Sequence, residues 1–169
     1  MFMMTITNAL TNVVGTITGL IQLIDRELNA MEMLGNTEAK NTFMKAKVAL
    51  QVSSDVTGFT GGVRMLNAIN TCAKLFEEQV GHDPVVSTYW LQHAYEFRVN
   101  AELAATDLLH AAGNVPQFEC SLARLRISCA HLAKQLGYRD ATLGYAQGAL
   151  RLAAPESDVE LAKLVMQTH

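Results

Sequence analysis

Two histidine–carboxylate pairs are the first residues in this chain whose types and spacing could do chemistry. His93 and Glu96, and then Asp107 and His110, stand at i, i+3 in one charge-sparse run, with Asn100 between them. On a helix all four would share a side, and metal sites in helical bundles use inward carboxylate-x-x-His pairs from several helices. Asp107 and His110 have that order. The first pair is reversed, lies about three turns away, and has no matching Glu-x-x-His elsewhere. Surface pairing within the helix is the simpler reading, and no metal or cofactor is expected. His93 also falls between Trp90 and Phe97, which suits a partly buried histidine held by a hydrogen bond. The stretch TGFTGGVR, with Arg64, offers backbone N–H groups that could hold an anion. It lacks GxxxxGK[ST] and a preceding strand, so a helix break or a close helix contact explains it better. Cys129 and His131 are two apart and cannot face each other on a helix. No Ser/His/Asp order or nucleophile elbow is present. The expectation is a protein without catalysis.

The elements that would carry these residues are helical. The chain has 169 residues, enough for one domain with a real core. Half of it is apolar and only 17% is charged, below the roughly 25% usual in soluble domains. Ala, Leu, Met and Gln are frequent, prolines are three, and no strand alternation stands out, so the fold expected is all-α. Gly35 can end a first helix, with Asn36 or Thr37 capping the second. GHDP sets the strongest boundary: Gly81 after a helix end, Asp83 as N-cap, Pro84 at the first helical position. GNVP at 113–116 repeats that logic. Ser157 and Glu160 have capping-box spacing. Helices are expected near 4–33, 37–57, 62–80, 84–112, 116–136, 139–153 and 158–168. They form a compact bundle of six or seven helices in a single domain, 1–169. Its possible sub-units are an N-terminal hairpin, 1–80, and a long helix plus basic hairpin, 84–169.

Residues 1–24 hold no charged side chain. Ile6, Leu10, Val13, Ile17, Leu20 and Ile24 follow a 4-3-4-3-4 spacing, nearly continued by Leu28 and Met31, and so form one narrow apolar seam. The opposite side carries Asn8, Thr11, Asn12, Gly15, Gly19 and Gln22, where a solvated face normally carries Lys and Glu. Thr11, Gly15 and Gly19 make a small-residue ridge over which another helix backbone can approach. A membrane-associated protein using 1–24 and 46–63 is one alternative. Two Asn and a Gln in the stretch, and no flanking basic cluster, disfavour it. The preferred reading is a helix covered on both sides, by its own domain and by a second copy, with Leu10, Val13, Gly15, Ile17 and Gly19 in contact. In the second charge-poor segment, Val48, Val52, Val56, Phe59, Val63 and Leu66 would form a seam. Ser54, Gly58 and Gly62 would form a second ridge, able to pack on the first in a tight hairpin.

Charge is uneven. Residues 120–155 carry Arg124, Arg126, Lys134, Arg139 and Arg151 against Asp140 alone, a balance of +4. Residues 1–119 carry seven basic and twelve acidic groups, a balance of −5, and the chain totals −3. Arg124, Arg126, Arg139 and Arg151 are therefore expected to meet an acidic protein partner rather than nucleic acid. Three cysteines, an odd number, make no disulfide framework, and the first residues lack the basic n-region of a secretory signal. A reducing, cytoplasmic setting is expected.

The stretch CAHLAKQLGYRDATLGYAQGALRLAAP, 129–155, resembles one tetratricopeptide-type helical hairpin. Cys129 and Leu132 take its small and large positions, and Tyr138, Ala141, Tyr145 and Gly148 follow its second half. Ala149-Leu150 comes late, Pro155 lies two residues beyond its expected place, and there is no second copy, whereas such proteins need about three repeats. The resemblance implies a peptide-binding adaptor or chaperone. The function expected is a non-enzymatic helical interaction protein that self-associates through its first helix: an assembly component, an adaptor or chaperone, or an inhibitor of a larger machine. A small bundle metalloenzyme is the remaining alternative.

Overall fold

The computed structural model describes residues 5–53, 58–113, 115–152 and 155–167. Among them the chain forms α1 (Ile6–Leu34), α2 (Thr37–Ser53), α3 (Gly58–Glu77), α4 (Pro84–Ala112), α5 (Pro116–Gln135), α6 (Arg139–Leu150) and α7 (Glu156–Gln167), and no strand. The fold is all-α, a bundle of packed helices.

The sequence signals act through identifiable bonds. The Thr5 hydroxyl accepts the Asn8 N–H at 3.2 Å and starts α1. Gly35 ends it at φ 69°, a left-handed conformation that costs glycine little. The Asn36 side chain then accepts the Ala39 N–H at 3.1 Å, which starts α2. Asp83 accepts from Val85 and Val86 at 2.9 and 3.3 Å ahead of Pro84. The Ser87 hydroxyl ties the same loop back to Gly81 in both directions, donating to its carbonyl at 2.9 Å and accepting its N–H at 3.1 Å. Two signals act differently. Asn114 lies outside the described residues, and Val115 precedes Pro116 with no side-chain cap. α7 starts at Glu156, so Ser157 is already inside the helix and cannot cap it. Its first turn closes on the Pro155 carbonyl instead.

Helices α1 to α4 surround one aromatic core. Phe43 of α2 stacks on Trp90 of α4, ring centroids 5.0 Å apart, and tilts against Phe76 of α3 at 5.4 Å. Phe76 meets Phe97 edge-on at 4.9 Å. Val13, Ile17, Leu20 and Ile24 of α1 close this core, as the seam requires. α4 serves two layers, because it also carries α5; α6 packs on α5, and α7 on both. The core runs unbroken from Ala9 on α1 to Leu132 on α5, across the 81–83 turn. Around α6 and α7 the buried groups become small: Ala123, Ala130, Ala146, Ala149 and Ala162, with Ile127 and Val165.

The second charge-poor segment departs from its expected seam. Val48 and Val52 are 56% and 70% exposed, and α2 buries Phe43, Ala46 and Leu50 instead. The reason is rotational: Phe43 sets the inner stripe of α2, whereas on α3 Leu66 is buried and Phe59 and Val63 pack on the core, as the seam requires. Ser54 and Val56 lie outside the described residues. The two glycine ridges do not meet either. A Cβ on Gly62 would stand 2.9 Å from Leu10 of α1 and from Leu108 of α4, whereas Cβ atoms on Gly15 and Gly19 would meet nothing within 4 Å. The α1 seam side, not its glycine side, packs on α3.

Candidate functional site

The first candidate surface is the outer side of α1. Thr11, Val14, Gly15, Thr18, Gly19 and Gln22 are exposed. Thr11 and Thr18 turn their hydroxyls onto carbonyls one turn back, at 2.9 and 3.0 Å, and half-buried Thr16 does the same. Back-bonding spends these donors on the helix itself, so the face offers water little for its area. Beside it a groove of about 560 Å³ runs between α1 and α4, with Thr16, Gly19, Arg26, Glu96 and Asn100 among its walls. The structure corrects the expected contact set. Val13 and Ile17 are buried by α3 and α4, and Leu10 is half-buried over Gly62. These three hold the chain's own core. Gly15 and Gly19 alone of the five stand open.

The histidine pairs do not converge. His93 turns away from Glu96: its Nδ1 lies 2.8 Å from the Tyr89 carbonyl and its Nε2 lies 3.5 Å from Glu27 of α1. Glu27 also accepts the Tyr89 hydroxyl. Burial, then this bond and the Glu27 charge, push the Tyr89 phenol well above its ordinary range. The ring of His93 sits against Phe43, Phe76 and Tyr89, so the partly buried, hydrogen-bonded histidine is what the structure holds. Asp107 is half-buried and His110 exposed, beside the buried Leu108 and Leu109. Among the described residues no three His, Cys, Asp or Glu side chains stand together to hold a metal ion. In TGFTGGVR, Thr57 lies outside the described residues, and Leu10 and Leu108 press on Gly62, the close helix contact expected there. Burial raises the thiols of Cys72 and Cys129 to about 12, which keeps both protonated and unreactive at neutral pH. No described helix is long and apolar enough to cross a membrane.

The basic hairpin separates into spent and exposed cations. Arg126 is not on the outer face. Its Nε donates to Glu102 at 2.9 Å, one terminal nitrogen to the Gly148 carbonyl at 2.9 Å and the other to the Thr106 hydroxyl at 3.3 Å. This half-buried fork joins α4, α5 and α6, and it spends the Arg126 charge inside the chain. Arg124 pairs with Asp158 of α7 at 3.0 Å while staying largely exposed. Arg139 and Arg151 are exposed and form no ion pair among the described residues.

The second candidate surface was not foreseen. The backbones of α4 and α6 are held apart by α5 and meet only through side chains, which leaves a groove of about 440 Å³ between them. Tyr95 and Tyr145, hydrogen-bonded to each other, stand at one end. Arg151 lies toward the C-terminal end of α6, and Gly144 and Gly148 leave the α6 wall bare on either side of Tyr145. The sequence held one usable signal for the half-buried arginine: Leu122, Ala123, Cys129 and Ala130 flank Arg126 one turn away on each side, all apolar, while Arg124 has Cys120, Ser121, Ile127 and Ser128 there, two of them polar. No family model, no curated protein and no solved structure matches this chain.

Proposed function

We propose that this is a non-enzymatic helical interaction protein that self-associates through the outer face of α1, serving as an assembly component, adaptor or inhibitor in the cytoplasm. One observation carries the reading. From Thr7 to Gln22 the outward side of α1 has no charge, and an added Cβ on either of its two glycines, Gly15 and Gly19, would meet nothing within 4 Å. A two-fold interface sets one patch against its own copy, so a charge near the axis would meet a like charge. An uncharged, small-residue face avoids that repulsion and lets two helix backbones approach closely.

Other features agree with the non-enzymatic part. Several half-buried or buried charged groups are held by one another or by a neighbouring side chain: Glu27 by Tyr89 and His93, Arg98 by Glu77 at 3.1 Å, Arg126 by Glu102. None of the three cysteines is in a disulfide, which suits a reducing compartment. The test is to place charge on the face. Thr11→Lys with Thr18→Lys changes two exposed side chains and leaves the core untouched. The pair should keep the circular dichroism of the parent while abolishing its self-association in analytical ultracentrifugation. An unchanged sedimentation profile at equal concentration would contradict the proposal.

A further inference from the structure

We propose that the groove between α4 and α6 binds an extended acidic peptide segment of a protein partner, seating an apolar side chain on Tyr95 and Tyr145 and a carboxylate at Arg151. This stands apart from self-association through α1, on different residues and a different side of α4.

The geometry sets the form of the occupant. The groove holds about 440 Å³, opens to solvent, and is bounded by two helices whose backbones stay apart. A compact small molecule would leave much of its surface wet there, whereas such sites usually enclose most of their ligand. An extended chain can lie along it. The α6 wall has no side chain at Gly144, where a Cβ would meet nothing within 4 Å, so a ligand backbone can come close. Gly148 is backed by the Arg126 side chain at 3.4 Å.

Charge sets its sign. Glu102 is neutralised by Arg126, and Arg126 has further partners in Gly148 and Thr106. Arg151 is therefore the uncompensated charge of the groove, within a segment that carries +4. The other end is aromatic: Tyr95 and Tyr145, with Tyr138 a further 5.5 Å from the Tyr95 ring. Tyr145 on α6 and Arg151, the residue that caps its C-terminus, both line the groove, six residues apart and so about 9 Å along the axis at 1.5 Å per residue. Three extended peptide residues span about 10 Å. The fitting pattern is an apolar residue followed three places later by Asp or Glu. A long phosphate backbone fits poorly, because the whole chain carries −3 and Arg139 and Arg151 are the only exposed arginines of α6 and its end.

The test titrates the full-length ¹⁵N-labelled protein with acetyl-Phe-Gly-Gly-Glu-amide, acetyl-Phe-Gly-Gly-Lys-amide and inorganic phosphate. The Glu peptide should give saturable shifts at the Gly144, Gly148 and Arg151 amides, and the Lys peptide should bind at least about tenfold more weakly. Arg151→Glu should reverse that order. Gly144→Leu, which fills the groove from an exposed position, should abolish the shifts for both peptides. Should Gly144→Leu fail to fold, the reversal by Arg151→Glu decides alone. Equal binding of the two peptides, no saturable shift at millimolar peptide, or retained binding in folded Gly144→Leu would overturn the proposal. The same shifts from phosphate alone would also overturn it, reducing the groove to a small-anion site.

Discussion

Gly62 on α3 and the Gly15–Gly19 pair on α1 sit in runs of similar composition, uncharged and rich in Thr and Gly, yet they meet opposite surroundings. A Cβ at Gly62 would press within 2.9 Å of Leu10 and Leu108, the latter fully buried; at Gly15 and Gly19 it would find open space. Glycine inside a helix costs about 1 kcal/mol relative to Ala, so each is a conceded loss of helix stability. At Gly62 the return is visible inside the chain, as three helices brought close. At Gly15 and Gly19 the chain itself supplies none. The contrast teaches that small-residue spacing marks a close approach, while only the packed structure tells whether the approaching neighbour belongs to the same molecule.

The sharpest way to break this contrast is at Gly62. Gly62→Leu should lower stability by about 3 kcal/mol, since overpacking a fixed core forces side chains off their rotamers. A Tm drop of about 10 °C in circular dichroism is the matching readout for a domain of this size. A variant as stable as the parent would mean that the α1–α3–α4 contact is loose.

The hairpin arginines repeat the contrast between occupied and open positions. Arg126→Ala leaves Glu102 buried without its partner and should cost about 3 kcal/mol, at the low end for a broken buried pair because both side chains keep some solvent. Arg139→Ala, on an exposed site, should change stability by less than about 0.5 kcal/mol. Urea denaturation of the two variants distinguishes them, and equal losses would remove Arg126 from the interior.

Smaller still is the change expected for Gly15→Ala and Gly19→Ala. Each should stabilise the protein by about 0.5–1 kcal/mol at low concentration through helix propensity alone. Destabilisation by either would mean that something in the same molecule covers the face. The mildest probe is chemical and leaves stability untouched. At pH 8, iodoacetamide should modify half-buried Cys120 first. Cys72 and Cys129 are buried, and their acidity, near 12, leaves them protonated at that pH. They should react only as the protein unfolds, and rapid native labelling of Cys129 would contradict the α4–α5 packing.

Much of the fold was legible because it rests on local physics. Asp83-Pro84 and Gly35 mark helix ends through bonds within a few residues, and the Val13–Ile17–Leu20–Ile24 seam repeats at a fixed period. What failed to show depends on partners far along the chain. Val48 and Val52 have the spacing of a seam, but Phe43 fixes the rotation of α2 by stacking on Trp90, and no local pattern reveals that. Glu27 meets Tyr89 across 62 residues, which turns His93 away from its neighbour Glu96. Of the nine expected contact residues, the structure leaves Gly15, Gly19, Arg124, Arg139 and Arg151 outward. It takes Val13 and Ile17 fully inward and Leu10 and Arg126 partly so, because they lie on the sides of α1 and α5 that other helices cover.

The central claim is that the open face of α1 is covered by a second copy, and solution mass tests it most directly. Light scattering across a concentration series, on the parent and on Gly15→Leu/Gly19→Leu, sets the two expectations apart. The parent should reach twice the 18.4 kDa chain mass as concentration rises, while the double variant stays at one chain mass with helicity intact. A parent that remains at 18.4 kDa throughout, or a double variant that assembles as the parent does, would contradict the account.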